Sequence, residues 1–79
     1  MSVTVRLFAA FSEAVGATRL AVSVADGTTV GKLWDRLVSE HPDLRRYPPS
    51  AAVNATFAQR DTVVTDGDDV AFLPPVSGG

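Results

Sequence analysis

The chain has 79 residues, no cysteine and a formal net charge of -2 at pH 7, which allows one small core but no disulfide framework, thiol nucleophile or cysteine-based metal site. The slight acidity gives no electrostatic reason to expect nucleic acid or an anionic membrane as a partner, and no apolar run approaches the ~18 residues of a spanning helix. With 46% hydrophobic and 20% charged residues, the composition is that of an ordinary globular domain.

The opening stretch, Met1-Ser2-Val3-Thr4-Val5-Arg6, alternates like a strand and lacks a basic start followed by a long apolar segment. No signal peptide is expected, and the expected compartment is the cytoplasm. Val3, Val5 and Leu7 should face a core, with Thr4, Arg6 and Phe8 on the other side. Ala9 to Val15 reads as a short helical turn stopped by Gly16. Leu20, Val22 and Val24 mark a second strand, ended by Asp26-Gly27 and paired with the first.

The strongest periodicity in the chain comes next. Val30, Leu33, Trp34, Leu37, Val38 and His41 form one apolar stripe at helical spacing, with Thr28 or Thr29 as N-cap and His41-Pro42 as the end. Trp34 is expected in the core, because no cofactor motif accompanies the stripe. Leu44 to Ser50 reads as a connecting loop. Ala51 to Asn54 and Thr56 to Ala58 read as short strands across a turn. Asp61 to Thr65 reads as a brief turn or 3₁₀ segment, and Asp66-Gly67-Asp68-Asp69 as a tight turn. Val70 to Leu73 is the last strand, with Val70 and Phe72 on one face and Ala71 and Leu73 on the other. This order predicts an α+β domain of the ubiquitin-like β-grasp type: a mixed sheet packed against one main helix, with the first and last strands adjacent in its middle.

The interior carries almost no chemistry. His41 suits a capping or half-buried role near a helix C-terminus. Ser12, His41 and an aspartate have no triad spacing and no nucleophile turn. Asp66, Asp68 and Asp69 lack the twelve-residue cation loop with its distal Glu, and read as a turn with solvated charges. Arg45 and Arg46 have no interleaved aromatics for nucleic acid. No bound cofactor and no metal are expected.

What remains is the end of the sequence, Pro74-Pro75-Val76-Ser77-Gly78-Gly79. Two prolines end the strand and project the last four residues away from the sheet, and two glycines make a backbone slender enough for a narrow channel. Extended, this stretch reaches about 17 Å. A glycine carboxylate at neutral pH is an anion and a poor electrophile, so it must be activated, for example as an acyl-adenylate made from ATP. A domain of residues 1–75 with a flexible tail of 76–79 is the expected organisation.

From Asp66 to Gly79 the sequence resembles the C-terminal signature of the small subunit of molybdopterin synthase, the MoaD family of ubiquitin-like sulfur carriers. That signature typically reads Asp-Gly-Asp-Glu-Val, a few apolar residues, then Pro-Pro-Val-Ser/Thr-Gly-Gly. Leu7-Phe8-Ala9, Glu13, Val15-Gly16 and Ala52-Val53-Asn54 match as well. Asp69 stands where Glu is usual, and residues 55–64 are less typical. The resemblance implies a carrier subunit in molybdenum cofactor biosynthesis, not itself a catalyst. Gly79 would be adenylated by an ATP-dependent activating enzyme and converted to a thiocarboxylate with sulfur from a donor protein. Pro75, Val76, Ser77 and Gly78 would then insert into the large subunit of a heterotetramer, where sulfur passes to a pterin precursor. Strand alternation adds that Phe8 and Leu73 should share the face away from the helix, with Phe57 near enough to complete an apolar partner-binding patch. Three alternatives stay open: a sulfur carrier for thiamine or cysteine synthesis, a ubiquitin-like protein modifier joined through Gly79 to a lysine, and a plain interaction module with an inert tail.

Overall fold

The computed structural model describes residues 1–75. Five strands form one sheet: β1 (Ser2–Leu7), β2 (Arg19–Ser23), β3 (Ser50–Val53), β4 (Thr56–Ala58) and β5 (Asp69–Leu73). They lie in the order β2-β1-β5-β3-β4. The first and last strands run parallel in the middle, with Val5 opposite Val70 and Leu7 opposite Phe72. β2 and β3 pair antiparallel to them on either side, and β4 closes the far edge. Helix α1 (Ala10–Val15) bridges β1 and β2, and helix α2 (Val30–Glu40) packs across one face of the sheet.

The alternation of β1 explains the core. Val3, Val5 and Leu7 are buried between the sheet and α2, as are Val70 and Phe72 of β5. From the helix side Val30, Leu33, Trp34, Leu37 and Val38 meet them. Trp34 sits between Phe11 and Phe72, with ring centroids 4.9 Å apart in both pairs and tilted planes, a geometry that aromatic quadrupoles favour over face-to-face stacking.

Local chemistry sets the caps. Thr29 is the N-cap of α2, and its Oγ1 accepts from the Lys32 N–H at 3.2 Å. The Val30 and Gly31 N–H groups donate to the Thr62 and Arg60 carbonyls at 2.9 Å each, so the first turn is satisfied by residues 60–62 crossing over it. His41 is the C-cap and is half-buried; its N–H donates to the Leu37 carbonyl, and its non-helical backbone, at φ -134° and ψ 81°, fits the exclusion from the helical region that a following proline imposes. Gly16 caps α1 at φ 83°, a left-handed conformation that a side chain would oppose.

Three sequence expectations change. The stretch after α2 is not simply a loop: Pro42–Arg46 forms a 3₁₀ turn that buries Leu44 completely, with proline at its tolerated first position. Asp61 to Thr65 begins in the expected brief turn, the Thr62 N–H donating to the Gln59 carbonyl at 3.1 Å, but it holds no 3₁₀ segment; Val63 bridges Thr29 and Val64 fills the core at 1% exposure, as β-branched residues prefer. The Asp66–Asp69 turn is not merely a run of solvated charges. The Asp66 carboxylate accepts from the Ser2 N–H at 2.8 Å. Asp68 accepts from the Thr65 N–H at 2.8 Å and from Asn54 Nδ2 at 3.0 Å. Asp69 pairs with Arg6 Nε at 3.0 Å. Among the described residues no helix is long and apolar enough to cross a membrane.

Candidate functional site

Among the described residues no helix covers the face of the sheet opposite α2. Register assigns its occupants: Arg19, Arg6, Ala71, Ala52 and Phe57 lie side by side across β2, β1, β5, β3 and β4. Small residues at 71 and 52 leave a shallow floor between the two arginines and the phenylalanine. Leu73 belongs to the next row, opposite Ser50, and Phe8, just past the end of β1, follows the Leu7–Phe72 pair.

The three apolar residues expected to bind a partner therefore fall on this open face at different depths. Phe57 is 83% exposed and Phe8 42% exposed, while Leu73 is half-buried. Phe8 and Phe57 are separated by three strand spacings across the sheet, about 14 Å, and by one row along it, with Leu73, Ala71 and Ala52 between them. A patch of this kind on a small domain is suited to contact with another protein.

The exit of the chain lies within the same patch. β5 is the central strand, and Leu73 hands over to Pro74 and the exposed Pro75 between β1 and β3. Proline cannot donate to either neighbour, so the ladder stops there. The expected tail residues Val76, Ser77, Gly78 and Gly79 lie outside the described residues.

A set of contacts fastens the start of β5, the strand that leads to this exit. The Asn54 N–H donates to the Asp69 carbonyl at 2.8 Å, and Asn54 Oδ1 accepts from the Asp69 N–H at 2.9 Å. With its Nδ2 on Asp68, one side chain thus clamps the turn to the β3–β4 hairpin. The Gly67 N–H donates to the Ser2 carbonyl at 2.8 Å and the Thr4 N–H to the Asp68 carbonyl at 2.9 Å, tying the same turn to β1. The hydrogen bonds from the Thr65 backbone and from Asn54 hold the Asp68 carboxyl below its ordinary value of 3.8. None of this could be read from spacing, because partners such as Ser2 and Asp66 are 64 residues apart.

Elsewhere the chemistry is quiet. Ser12 Oγ donates to the Ala9 carbonyl at 2.7 Å. Among the described residues no group of three His, Cys, Asp or Glu side chains is arranged to hold a metal ion. The open face is the feature best suited to binding, and β5 ends beside it in Pro74 and Pro75.

A mixed sheet with parallel central strands, one main helix across one face and a bare opposite face defines a ubiquitin-like β-grasp domain. Residues 5–79 match the ThiS family. The chain is 44% identical to the molybdopterin synthase sulfur carrier subunit of Mycobacterium tuberculosis, an alignment covering 100% of this chain and 99% of that protein. It is 38% identical to the subunit of the same name from Escherichia coli (strain K12), covering 98% and 99%. The crystal structure of small archaeal modifier protein 1 from Haloferax volcanii superposes with a TM-score of 0.86 at 32% identity, covering 100% of both chains. The chain belongs to the ThiS family, among its molybdopterin synthase sulfur carrier subunits.

Proposed function

We propose that the chain carries sulfur as a thiocarboxylate on Gly79 and delivers it to a pterin precursor held by the large subunit of molybdopterin synthase. The observation that carries this reading is the end-to-end likeness to sulfur carrier subunits, at 44% identity in the M. tuberculosis relative. The geometry supports it, because the central strand ends beside Phe8 and Leu73 on the open face. In this scheme the Gly79 carboxylate attacks the α-phosphorus of ATP on an activating enzyme, releasing pyrophosphate and forming an acyl-adenylate. A persulfide sulfur on a donor protein then attacks the acyl carbon and expels AMP, and a protein thiol cleaves the resulting acyl disulfide, forming a protein disulfide and freeing the thiocarboxylate. ATP belongs to the activating enzyme and not to this domain.

Phe8, Leu73 and Phe57 would dock the domain on the large subunit, while Pro75, Val76, Ser77 and Gly78 thread toward the pterin. The side chains of this chain position the reacting group and leave acid–base work to the partner. The cytoplasm is the compartment in which ATP and the activating enzyme would be met.

A second reading is favoured by one observation, the likeness to small archaeal modifier protein 1. In it Gly79 is joined to a lysine of another protein. Intact-mass measurement of the chain from its native cell, or after incubation with ATP, a sulfur source and an activating enzyme, tests the first reading. It should show one carboxyl oxygen of Gly79 replaced by sulfur. Isopeptide-linked adducts without any such species would favour the second.

A further inference from the structure

Beside Phe8 the open face ends in a hollow lined by Arg6, Phe8, Ala9, Ser12, Thr18 and Arg19. Arg6 and Arg19 are directly opposed on neighbouring antiparallel strands, an arrangement that like charges make unfavourable. Among the described residues only one carboxylate answers the two cations. Asp69 pairs with Arg6, and Arg19 has no acidic partner there. The rim carries a second oddity. Ala9, a non-glycine residue, is held at φ 49° with ψ -124°, a costly conformation that turns the chain out of β1 immediately after the exposed Phe8. Nothing in the fold requires a second cation at this spot, since the neighbouring residues of the face, Ala71, Ala52, Leu73 and Phe57, are apolar.

We infer that this hollow is a socket for a carboxylate, an Asp or Glu side chain of the protein that docks on the open face. The inference rests on the docking reading above and adds its polar rim. The guanidinium of Arg19 presents donors in a planar fork suited to a carboxylate. Arg6, already oriented by Asp69, stands on the other side, and Phe8 supplies an apolar wall at one edge. An incoming carboxylate would bring two positive and two negative charges into balance across β2, β1 and β5. A partner with a neutral or basic group at that position would face uncompensated repulsion, so the socket also selects among proteins that could bind the apolar patch.

The test is a calorimetric titration of the full chain with the large subunit of a molybdopterin synthase from the same organism, at low and at high salt. Arg19→Glu should weaken binding about 30-fold at low salt, and the deficit should shrink several-fold at high salt as screening removes the charge term. Its melting temperature should not fall, because the substitution ends the Arg6–Arg19 repulsion. Arg45→Glu, on the 3₁₀ turn, should bind like wild type. If Arg19→Glu binds like wild type while Phe8→Asp does not, the socket is wrong and the docking face stands. A deficit for Arg19→Glu that persists unchanged at high salt would equally overturn the carboxylate assignment. Normal binding by Phe8→Asp would remove the docking reading, and this inference with it.

Discussion

The two faces of the sheet are built from the same strands and have opposite characters. On the helix side Val3, Val5, Leu7, Val70 and Phe72 are buried at 0–2% exposure. One residue along, on the other side, stand Arg6, Phe8, Ala71 and Leu73, all half-buried or exposed. A two-residue period thus separates a packed face from an open face along the two central strands, and under the proposed function it separates stability from recognition. Substitutions on the first face should change unfolding and leave recognition to follow, whereas substitutions on the second should change binding and leave unfolding alone.

The largest effect should come from the packed side. Trp34→Ala removes the ring that joins Phe11 to Phe72 and should cost about 3–5 kcal/mol of stability, a large fraction of what a domain this small possesses. Chemical denaturation measures it, and a loss under about 1 kcal/mol would mean that the packed face does not carry the fold.

From the open side, Phe8→Asp should weaken binding to the large subunit by more than about 2 kcal/mol with an unchanged denaturation midpoint. Phe8 is a cleaner probe than Leu73, which is half-buried and so couples the two properties. A fall in stability matching that of Trp34→Ala would show the faces to be wrongly separated.

A smaller effect should appear at the turn before β5. The Asp68 carboxyl titrates below its ordinary value of 3.8, so its contribution is fully present above that value. It is lost as pH falls through the lower, folded-state value. Asp68→Asn should therefore destabilise by about 1 kcal/mol or less at neutral pH, the site being open to solvent. Its difference from wild type should close as pH drops below 3.8. A gap that widened in acid would reverse the sign and refute the assignment.

The smallest effect expected is a gain. The two-residue β3–β4 turn holds Asn54 at φ 51° and Ala55 at φ 70°, the left-handed pair for which Asn-Gly is the favoured sequence. Ala55→Gly should stabilise by about 0.5 kcal/mol, the relief of strain being partly offset by the entropy of glycine. Thermal unfolding would detect it, and a loss of stability would contradict the turn assignment.

Most of this frame was legible in the sequence because its longest periodicities are intact. The stripe from Val30 to Val38 located α2, and the alternations in 3–8 and 70–73 located the two central strands and their faces. Leu44 and Val64 were not legible as core residues. Each is a lone apolar contact inside a polar connection, where no period accumulates. The aspartate turn was seen as a turn but not as a fastening, since its partners Ser2, Arg6 and Asn54 are brought to it only by folding. The apolar members of the candidate site could be read from alternation. The paired arginines could not, because their opposition depends on the β1–β2 register.

If the domain serves as a handle while the reaction belongs to Gly79, the decisive experiment is synthase turnover by chemically thiocarboxylated chains, the full chain against one lacking Gly79. Removing that residue draws the reacting carbon back by about 3.5 Å, close to the whole length of a near-attack contact. Sulfur transfer should be abolished, with binding to the large subunit retained and the unfolding midpoint unchanged. Turnover near that of the full chain would mean that the position of the terminal carbon does not set the reaction, and the division between handle and reacting end would fall.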